Sequence, residues 1–194
     1  MRSLPDKISH RIRARGRGSV FTPGDFLDLG TRANVDQTLA RLVARGVMRK
    51  LARGLYDYPV MNARLGALSP SPDQIAKALA NGDVLQVPGP VAANQLGLTT
   101  QVSAKPIYLT SGSARKAKIG RQTVVLKHTK RLPAAGKTAG SVYQALHWLG
   151  PDGATPTVIA KLKRQLRDSD KRDVAKIVRH SPAWMRATLS AVAA

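Results

Sequence analysis

A chain of 194 residues, 43% of them hydrophobic, is long enough for one domain or two small ones and too apolar to remain largely disordered. Its 32 lysines and arginines against 11 acidic residues, all aspartate, give a net charge of +21 and predict an anionic partner, most commonly nucleic acid. The absence of cysteine excludes disulfides and thiolate metal sites, and no stretch approaches the ~18 unbroken apolar residues of a membrane-spanning helix.

The first residues predict a helix, a basic turn and a short strand. The helix covers residues 4–14 and the strand residues 19–21. The segment lacks the apolar core of a secretory signal, so we expect a cytoplasmic, nucleoid-associated protein. The basic turn fits either a solvated loop or contacts to phosphate groups. Its arginines are Arg13, Arg15 and Arg17.

Two helices joined by a tight turn are predicted next. Thr22-Pro23 is typical of a helix start, and Gly30 is expected to end that short helix. Thr31 is then the cap of a second helix, which Gly46 closes. One face of this second helix is apolar at helical spacing. Its apolar residues are Val35, Leu39, Leu42 and Val43.

The opposite face of the second helix carries side chains suited to base recognition. Asparagine, glutamine and arginine can each form paired hydrogen bonds to base edges in the major groove. The first turn of such a helix is where recognition helices usually contact DNA. Arg32 lies in that first turn, and the face and its edges carry Asn34, Gln37, Thr38, Arg41 and Arg45.

A basic hairpin follows the second helix. Two apolar-rich runs, residues 47–51 and 55–58, flank an Arg-Gly turn. Arg49, Lys50 and Arg53 at or near its tip fit a wing that lies on a phosphate backbone. The order of elements predicts a winged helix-turn-helix DNA-binding domain over residues 1–59. A helical hairpin with a solvated basic loop is the alternative.

The rest of the chain predicts a linker and a second region, so that the fold class is α+β. Residues 60–71 are the candidate linker. Residues 72–194 predict a small basic α/β region with a helical C-terminal tail. Helices are expected at 72–80, 91–96, 141–149, 157–167, 170–180 and 182–192, and strands at 107–109, 115–120 and 123–127.

The second region contains a long run without acidic residues. Between Val84 and Pro151 there are nine cations and no carboxylate, whereas a solvated surface usually mixes both signs. The run fits a second nucleic-acid segment, RNA or an acidic protein, or else a basic surface without a specific ligand. The cations expected to form this second basic patch are Arg115, Lys116, Lys118, Arg121, Lys127, Lys130 and Arg131.

Several motifs resemble catalytic or ligand sites without completing one. Residues 134–138 resemble the end of a phosphate-binding loop, but Arg131 occupies the position of the required first glycine. Asp168 and Asp170, with Asp173 nearby, fit the start of a helix better than a metal site. The four histidines are scattered. We therefore expect no enzyme activity, no metal and no cofactor.

Four aromatic side chains, two tryptophans and two tyrosines, are expected to pack in the protein interior. Trp148 and Trp184 lie in apolar helical stripes, which favours the core. Tyr56 and Tyr58 stand near basic residues, so groove contact is an alternative for them, although packing is favoured.

Four segments carry a resemblance to a known family. Residues 20–30 (VFTPGDFLDLG), 31–59, 91–102 (VAANQLGLTTQV) and 105–112 (KPIYLTSG) resemble the AbiEi-type antitoxins of type IV, abortive-infection toxin–antitoxin systems. Within that group the chain is most similar to short members of unknown function, the DUF6088-like family. The resemblance covers residues 4–126.

The resemblance implies a function for each region. It implies an N-terminal winged helix-turn-helix that binds inverted repeats in its own promoter, with Arg32, Asn34, Gln37 and Arg41 on the recognition helix. It implies a C-terminal domain that opposes a nucleotidyltransferase toxin without forming a stable complex with it. This chain is shorter than full-length members. The expected function is a DNA-binding autoregulator and antitoxin; the alternatives are a structural RNA-binding or ribosome-associated protein, or an enzyme acting on nucleic acid.

Overall fold

The chain folds into two compact units of mixed α+β structure. A computed structural model describes residues 3–194. The first unit comprises the chain up to Gly82 together with Arg115–Val125, and the second comprises Asp83–Ala114 together with Leu126–Ala194. This division differs from the one expected from sequence, because the first unit extends beyond Pro59 and includes a later segment.

The elements follow the sequence patterns closely. In the first part of the chain they are α1 (Leu4–Arg15), β1 (Val20–Phe21), a 3-10 helix (Pro23–Phe26), α2 (Arg32–Ala44), β2 (Arg49–Ala52), β3 (Leu55–Asp57), β4 (Met61–Asn62), β5 (Gly66–Ala67) and α3 (Pro72–Ala80). They continue as β6 (Leu85–Gln86), α4 (Gly89–Gln95), β7 (Ile107–Thr110), β8 (Arg115–Ile119), β9 (Gln122–His128), α5 (Thr138–Gly153), α6 (Pro156–Gln165), α7 (Asp168–Ile177), a 3-10 helix (Val178–His180) and α8 (Ala183–Ala193).

Local caps explain where the helices of the first unit begin. The backbone N–H of Thr22 donates to the Asp25 carboxylate at 2.7 Å, and the Thr31 hydroxyl accepts from the Asn34 N–H. Both predicted helix starts are therefore confirmed. The helix after Thr22 is a single 3-10 turn that ends at Phe26, so the predicted end at Gly30 is wrong.

The first unit contains a three-stranded antiparallel sheet in the order β1-β3-β2. Phe21 and Lys50 both pair with Tyr56 of the central strand, and the register shifts between Lys50 and Ala52. Apolar residues of α1, the 3-10 helix and α2 pack with residues of this small sheet in one buried core. Phe21 stacks on Phe26 with ring centroids 5.7 Å apart. The buried core is formed by Ile8, Ile12, Phe21, Phe26, Val35, Leu39, Leu42, Met48 and Tyr56.

The segment predicted as a linker has regular structure. Strands β4 and β5 form an antiparallel hairpin, and the Asn62 side chain accepts from the N–H groups of Arg64 and Leu65 in its turn. Met61 and Leu65 are exposed on this hairpin. The strands are only two residues long, which is why no alternating pattern marked them in the sequence.

The second unit is mainly helical. Strand β6 pairs antiparallel with β7, Leu85 opposite Thr110, and β7 lies beside β9. Helices α5 to α8 enclose the core, and α4 packs on α5. No helix within residues 3–194 is long and apolar enough to cross a bilayer. The core contains Ala139, Val142, Tyr143, Leu146, Leu162, Leu166, Val174, Ile177, Met185, Leu189 and Val192.

Three expectations for the second unit are corrected. Trp148 and Trp184 are 39% and 37% exposed, so they are not core residues. Helix α7 begins at Asp168, two residues before the expected start, and Asp168 and Asp170 lie in its first turn as predicted. Helix α5 is longer than expected and is interrupted at Gly150, where φ is 72°.

One ion pair joins α1 to the turn that precedes α2. The Arg11 guanidinium donates to both oxygens of Asp28 at 2.6 and 2.7 Å, and also to the backbone carbonyl of Asp25. This paired hydrogen bond lowers the pKa of Asp28 below its ordinary value and raises that of Arg11. The pair therefore stabilises the fold only while Asp28 is ionised.

We expect Asp28→Asn to lower the thermal midpoint at neutral pH and to lose this effect in acid. Because the pKa of Asp28 is lowered by folding, its contribution is present above the unfolded value and is lost as pH falls through the folded value. Thermal midpoints of both proteins should be compared from neutral pH to about pH 2.

Asp152→Asn is the matched control, because Asp152 is exposed and forms no ion pair within residues 3–194. It should leave the midpoint unchanged at every pH. A deficit of Asp28→Asn that stays constant across the pH range would show that the ion pair is not its cause.

Candidate nucleic-acid interface

The exposed face of α2 brings four of the predicted side chains together. Asn34, Gln37, Arg41 and Arg45 are spaced by three or four residues, so they lie along one face of the helix, and all four are exposed. The buried side of the same helix holds it against the core. The face therefore presents two amide and two guanidinium groups to solvent.

Small residues broaden this face, and sequence reasoning missed them. Ala33, Ala40 and Ala44 are exposed beside Gln37. The short alanine side chain allows a flat or convex partner to approach the helix backbone closely. The alanine methyl group is also of a kind that can contact a thymine methyl. The signal was present in the sequence as a spacing of seven and four residues between these alanines.

Two predicted residues lie elsewhere. Arg32 precedes Arg41 by nine residues, about two and a half helical turns, so it points to the opposite side of α2. There it pairs with Asp36 at 2.9 Å. Thr38 is only 4% exposed and its hydroxyl donates to the Asn34 carbonyl at 2.8 Å, so it supports the helix and is not part of the open face.

The Arg32–Asp36 pair is weak and close to the central strand. Both side chains are largely exposed, and such i,i+4 pairs contribute about 0.3–0.5 kcal/mol. Burial of Tyr56 raises the pKa of its hydroxyl, and the nearby Asp36 carboxylate raises it further.

The β2–β3 hairpin presents two cations that make no ion pair within the described chain. Lys50 lies on β2 and Arg53 in the turn, and both are exposed. Gly54 follows with φ of 67°, a conformation that glycine adopts without strain. The predicted hairpin is confirmed, and these two side chains can reach an anion outside the fold.

Arg49, the third predicted cation of the hairpin, is engaged internally. Its guanidinium contacts both oxygens of Asp57, at 3.1 and 2.6 Å, and donates to the carbonyls of Ala67 and Leu68. Asp57 is only 1% exposed, and it raises the pKa of Arg49. Arg49 therefore joins β2 to β3 and to the end of β5, and has little donor capacity left for an external phosphate.

The basic turn after α1 is also partly used by the fold. Arg15 pairs with Asp25 at 2.8 Å, and Arg17 donates to the Pro59 carbonyl while its guanidinium lies 4.7 Å from the Tyr58 ring centroid. Arg13 is exposed at the last turn of α1. These contacts favour structural roles for two of the three arginines.

The predicted second basic patch is divided between the two units. Arg115, Lys116, Lys118 and Arg121 belong to the first unit and are exposed. Lys127, Lys130 and Arg131 belong to the second unit and are also exposed. The cations of the acid-free run are therefore shared between the two units.

In the segment that resembles a phosphate-binding loop, the groups that would bind phosphate already have partners within the protein. The Gly136 N–H donates to the Gln86 side chain at 3.1 Å, and the Lys137 ammonium contacts Asp173 at 3.0 Å. Hydrogen bonds from Lys176 and then Lys137 lower the pKa of Asp173. Within residues 3–194, no three histidine, aspartate or other ligating side chains cluster in a way that could hold a metal ion.

The sequence of this chain matches one known family. The profile of a family of unknown function, DUF6088, matches residues 7–174. The chain belongs to this family. The match extends well beyond the residues 4–126 that carry the resemblance described above and includes most of both units. Comparison with curated proteins and with solved structures gave no significant match.

We expect Arg49→Ala to destabilise the first unit and Lys50→Ala to leave its stability unchanged. Removing Arg49 leaves the buried Asp57 carboxylate without a partner, which should cost about 3 kcal/mol, the lower end for a buried pair because Arg49 is partly exposed. Lys50 is exposed and unpaired, so its truncation should stay within about 0.5 kcal/mol.

Urea unfolding of the two variants and the wild type measures both effects. Because the residues are adjacent on one strand and lose the same charge, Lys50→Ala controls for the change in net charge. Equal free energies of unfolding for both variants would show that the Arg49–Asp57 pair does not hold the hairpin.

Proposed function

We propose that this protein is a DNA-binding transcriptional regulator whose first unit is a winged helix-turn-helix. The observation that carries the proposal is the open face of α2, with Asn34, Gln37, Arg41 and Arg45, next in sequence to a hairpin with two unpaired cations. The order α1, β1, 3-10 turn, α2, β2, β3 and the strand order β1-β3-β2 support the same assignment.

In this proposal, α2 enters the major groove. The groove is about 12 Å wide and admits one helix, and guanidinium and amide groups recognise guanine and adenine there. Arg41 and Gln37, in the middle of the face, are the residues proposed to contact base edges. Lys50 and Arg53 contact the phosphate backbone, and Arg49 is excluded from that role by its internal bonds.

The biological role is proposed from the family resemblance. An AbiEi-type antitoxin binds inverted repeats in its own promoter and opposes a nucleotidyltransferase toxin. We propose the same role here, with the second unit as the part that opposes the toxin. A nucleotidyltransferase gene next to the gene of this protein would support the antitoxin role. If no such gene is adjacent, the proposal is reduced to a transcriptional regulator without an antitoxin role.

A mobility-shift assay tests the class of partner. The protein is titrated against its own upstream DNA, a random duplex and a structured RNA at about 150 mM salt, where non-specific binding is weak. We expect selective binding to the upstream DNA. Preference for RNA, or equal binding to all three, would overturn the proposal in favour of a structural RNA-binding protein, which the acid-free run of the chain would explain.

We expect Arg41→Ala and Gln37→Ala to weaken binding to the cognate site by about 1–3 kcal/mol each and to relax base preference there. Arg64→Ala is the matched control, because Arg64 is an exposed arginine in the β4–β5 turn, outside α2. Quantitative binding curves on cognate and base-substituted sites measure the effect. Equal losses on cognate and random DNA would exclude base recognition by these residues.

We expect Arg53→Ala to weaken binding to every duplex by the same factor. One phosphate contact fewer should reduce the slope of log affinity against log salt by about one unit. The slope is obtained from titrations at several salt concentrations. An unchanged slope would remove the hairpin turn from the DNA contacts.

A further inference from the structure

A hairpin from later in the chain belongs to the first unit. Strand β8 and residues 122–125 of β9 lie there, although they follow β6, α4 and β7 of the second unit in sequence. Strand β8 lies beside β2 and α3, and the Arg115 guanidinium donates to the Leu79 carbonyl at 2.6 Å. The hairpin is therefore fixed to the unit that carries α2.

The outer face of this hairpin is cationic. Ala117 is buried and Ile119 half-buried, and because side chains alternate along a strand, Lys116 and Lys118 project to solvent. Arg121 follows in the turn and is exposed. These three side chains make no ion pair with any residue from 3 to 194, so nothing within the described chain neutralises them.

The neighbour of this face is the strand that carries the proposed wing. Strand β2 is an edge of the three-stranded sheet, and it bears the exposed Lys50. Strand β8 thus lies beside the strand that bears Lys50, one of the two cations proposed to contact phosphate. A duplex carries one negative charge per ~1.7 Å of its axis, so DNA bound at the β2–β3 turn would offer further phosphates to cations on a neighbouring strand.

We propose that Lys116, Lys118 and Arg121 form a second wing, which contacts the phosphate backbone of the same duplex that α2 and the β2–β3 hairpin bind. This inference rests on the proposed function and extends it to a part of the chain outside the helix-turn-helix. Four further cations of the acid-free run are exposed, form no ion pair in the described chain and belong to the second unit; they are Lys105, Lys127, Lys130 and Arg131. Of these, Lys127 lies on β9, the strand beside β8, and the other three lie outside the hairpin.

The division of the cations supplies a matched pair of variants. One protein carries Lys116→Gln, Lys118→Gln and Arg121→Gln, and the other carries Lys105→Gln, Lys130→Gln and Arg131→Gln. Both remove two lysines and one arginine from exposed positions, so they change net charge equally. Thermal midpoints of both should match the wild type, because none of the six side chains forms an ion pair in the described chain.

Salt titrations with the upstream duplex and a random duplex then compare the variants. We expect the β8–β9 variant to reduce the slope of log affinity against log salt by about two to three units, at about 0.9 per phosphate contact. Its affinity for both duplexes should fall by the same factor, since phosphate contacts carry no sequence information. The second-unit variant should reduce the slope by less than one unit.

Two outcomes would overturn the second wing. One is an unchanged slope in the β8–β9 variant, and the other is an equal reduction in both variants, which would report net charge alone. If the wild type prefers its upstream DNA in either case, only the second wing fails and the regulator stands. A wild type that prefers structured RNA overturns the proposed function, and the second wing with it.

Discussion

The scarcity of carboxylates is the constraint on which this structure depends. With 11 aspartates against 32 lysines and arginines, most cations have no carboxylate to pair with, and the positions of a few aspartates decide which arginines are held within the fold. Asp28 holds Arg11, Asp25 holds Arg15, and Asp57 holds Arg49. Each of these pairs joins two segments of the first unit. The positions of the aspartates therefore determine which arginines stabilise the fold.

The consequence is a division of the cations by role. An arginine that already donates to a buried carboxylate and to backbone carbonyls, as Arg49 does, has most of its donors satisfied and is held in one geometry. An exposed lysine such as Lys50, one residue later, has no such partner within residues 3–194. Adjacent residues of equal charge can therefore affect different properties, one the free energy of unfolding and the other the attraction to an external anion.

The sequence predicted the parts that are determined locally. The start of α2 depends on Thr31 and the N–H of Asn34, three residues apart, so it could be predicted. The role of Arg49 depends on the strand register that places Asp57 opposite it, and the place of β8 depends on contacts such as Arg115 with Leu79, thirty-six residues away. Trp148 also shows the limit, because periodicity marks an apolar stripe without showing which edge of it neighbouring helices cover.

If the protein binds DNA as proposed, its many unpaired cations limit how well it distinguishes its operator from other DNA. Phosphate contacts raise affinity for all DNA equally, whereas discrimination comes from the few side chains that reach base edges. A protein with a net charge of +21 therefore binds random duplex strongly at low salt, and Arg41 and Gln37 add only about 1–3 kcal/mol of preference each. Two copies bound to an inverted repeat would double the number of base contacts on one operator, which is the physical reason why such a regulator gains selectivity from a symmetric site.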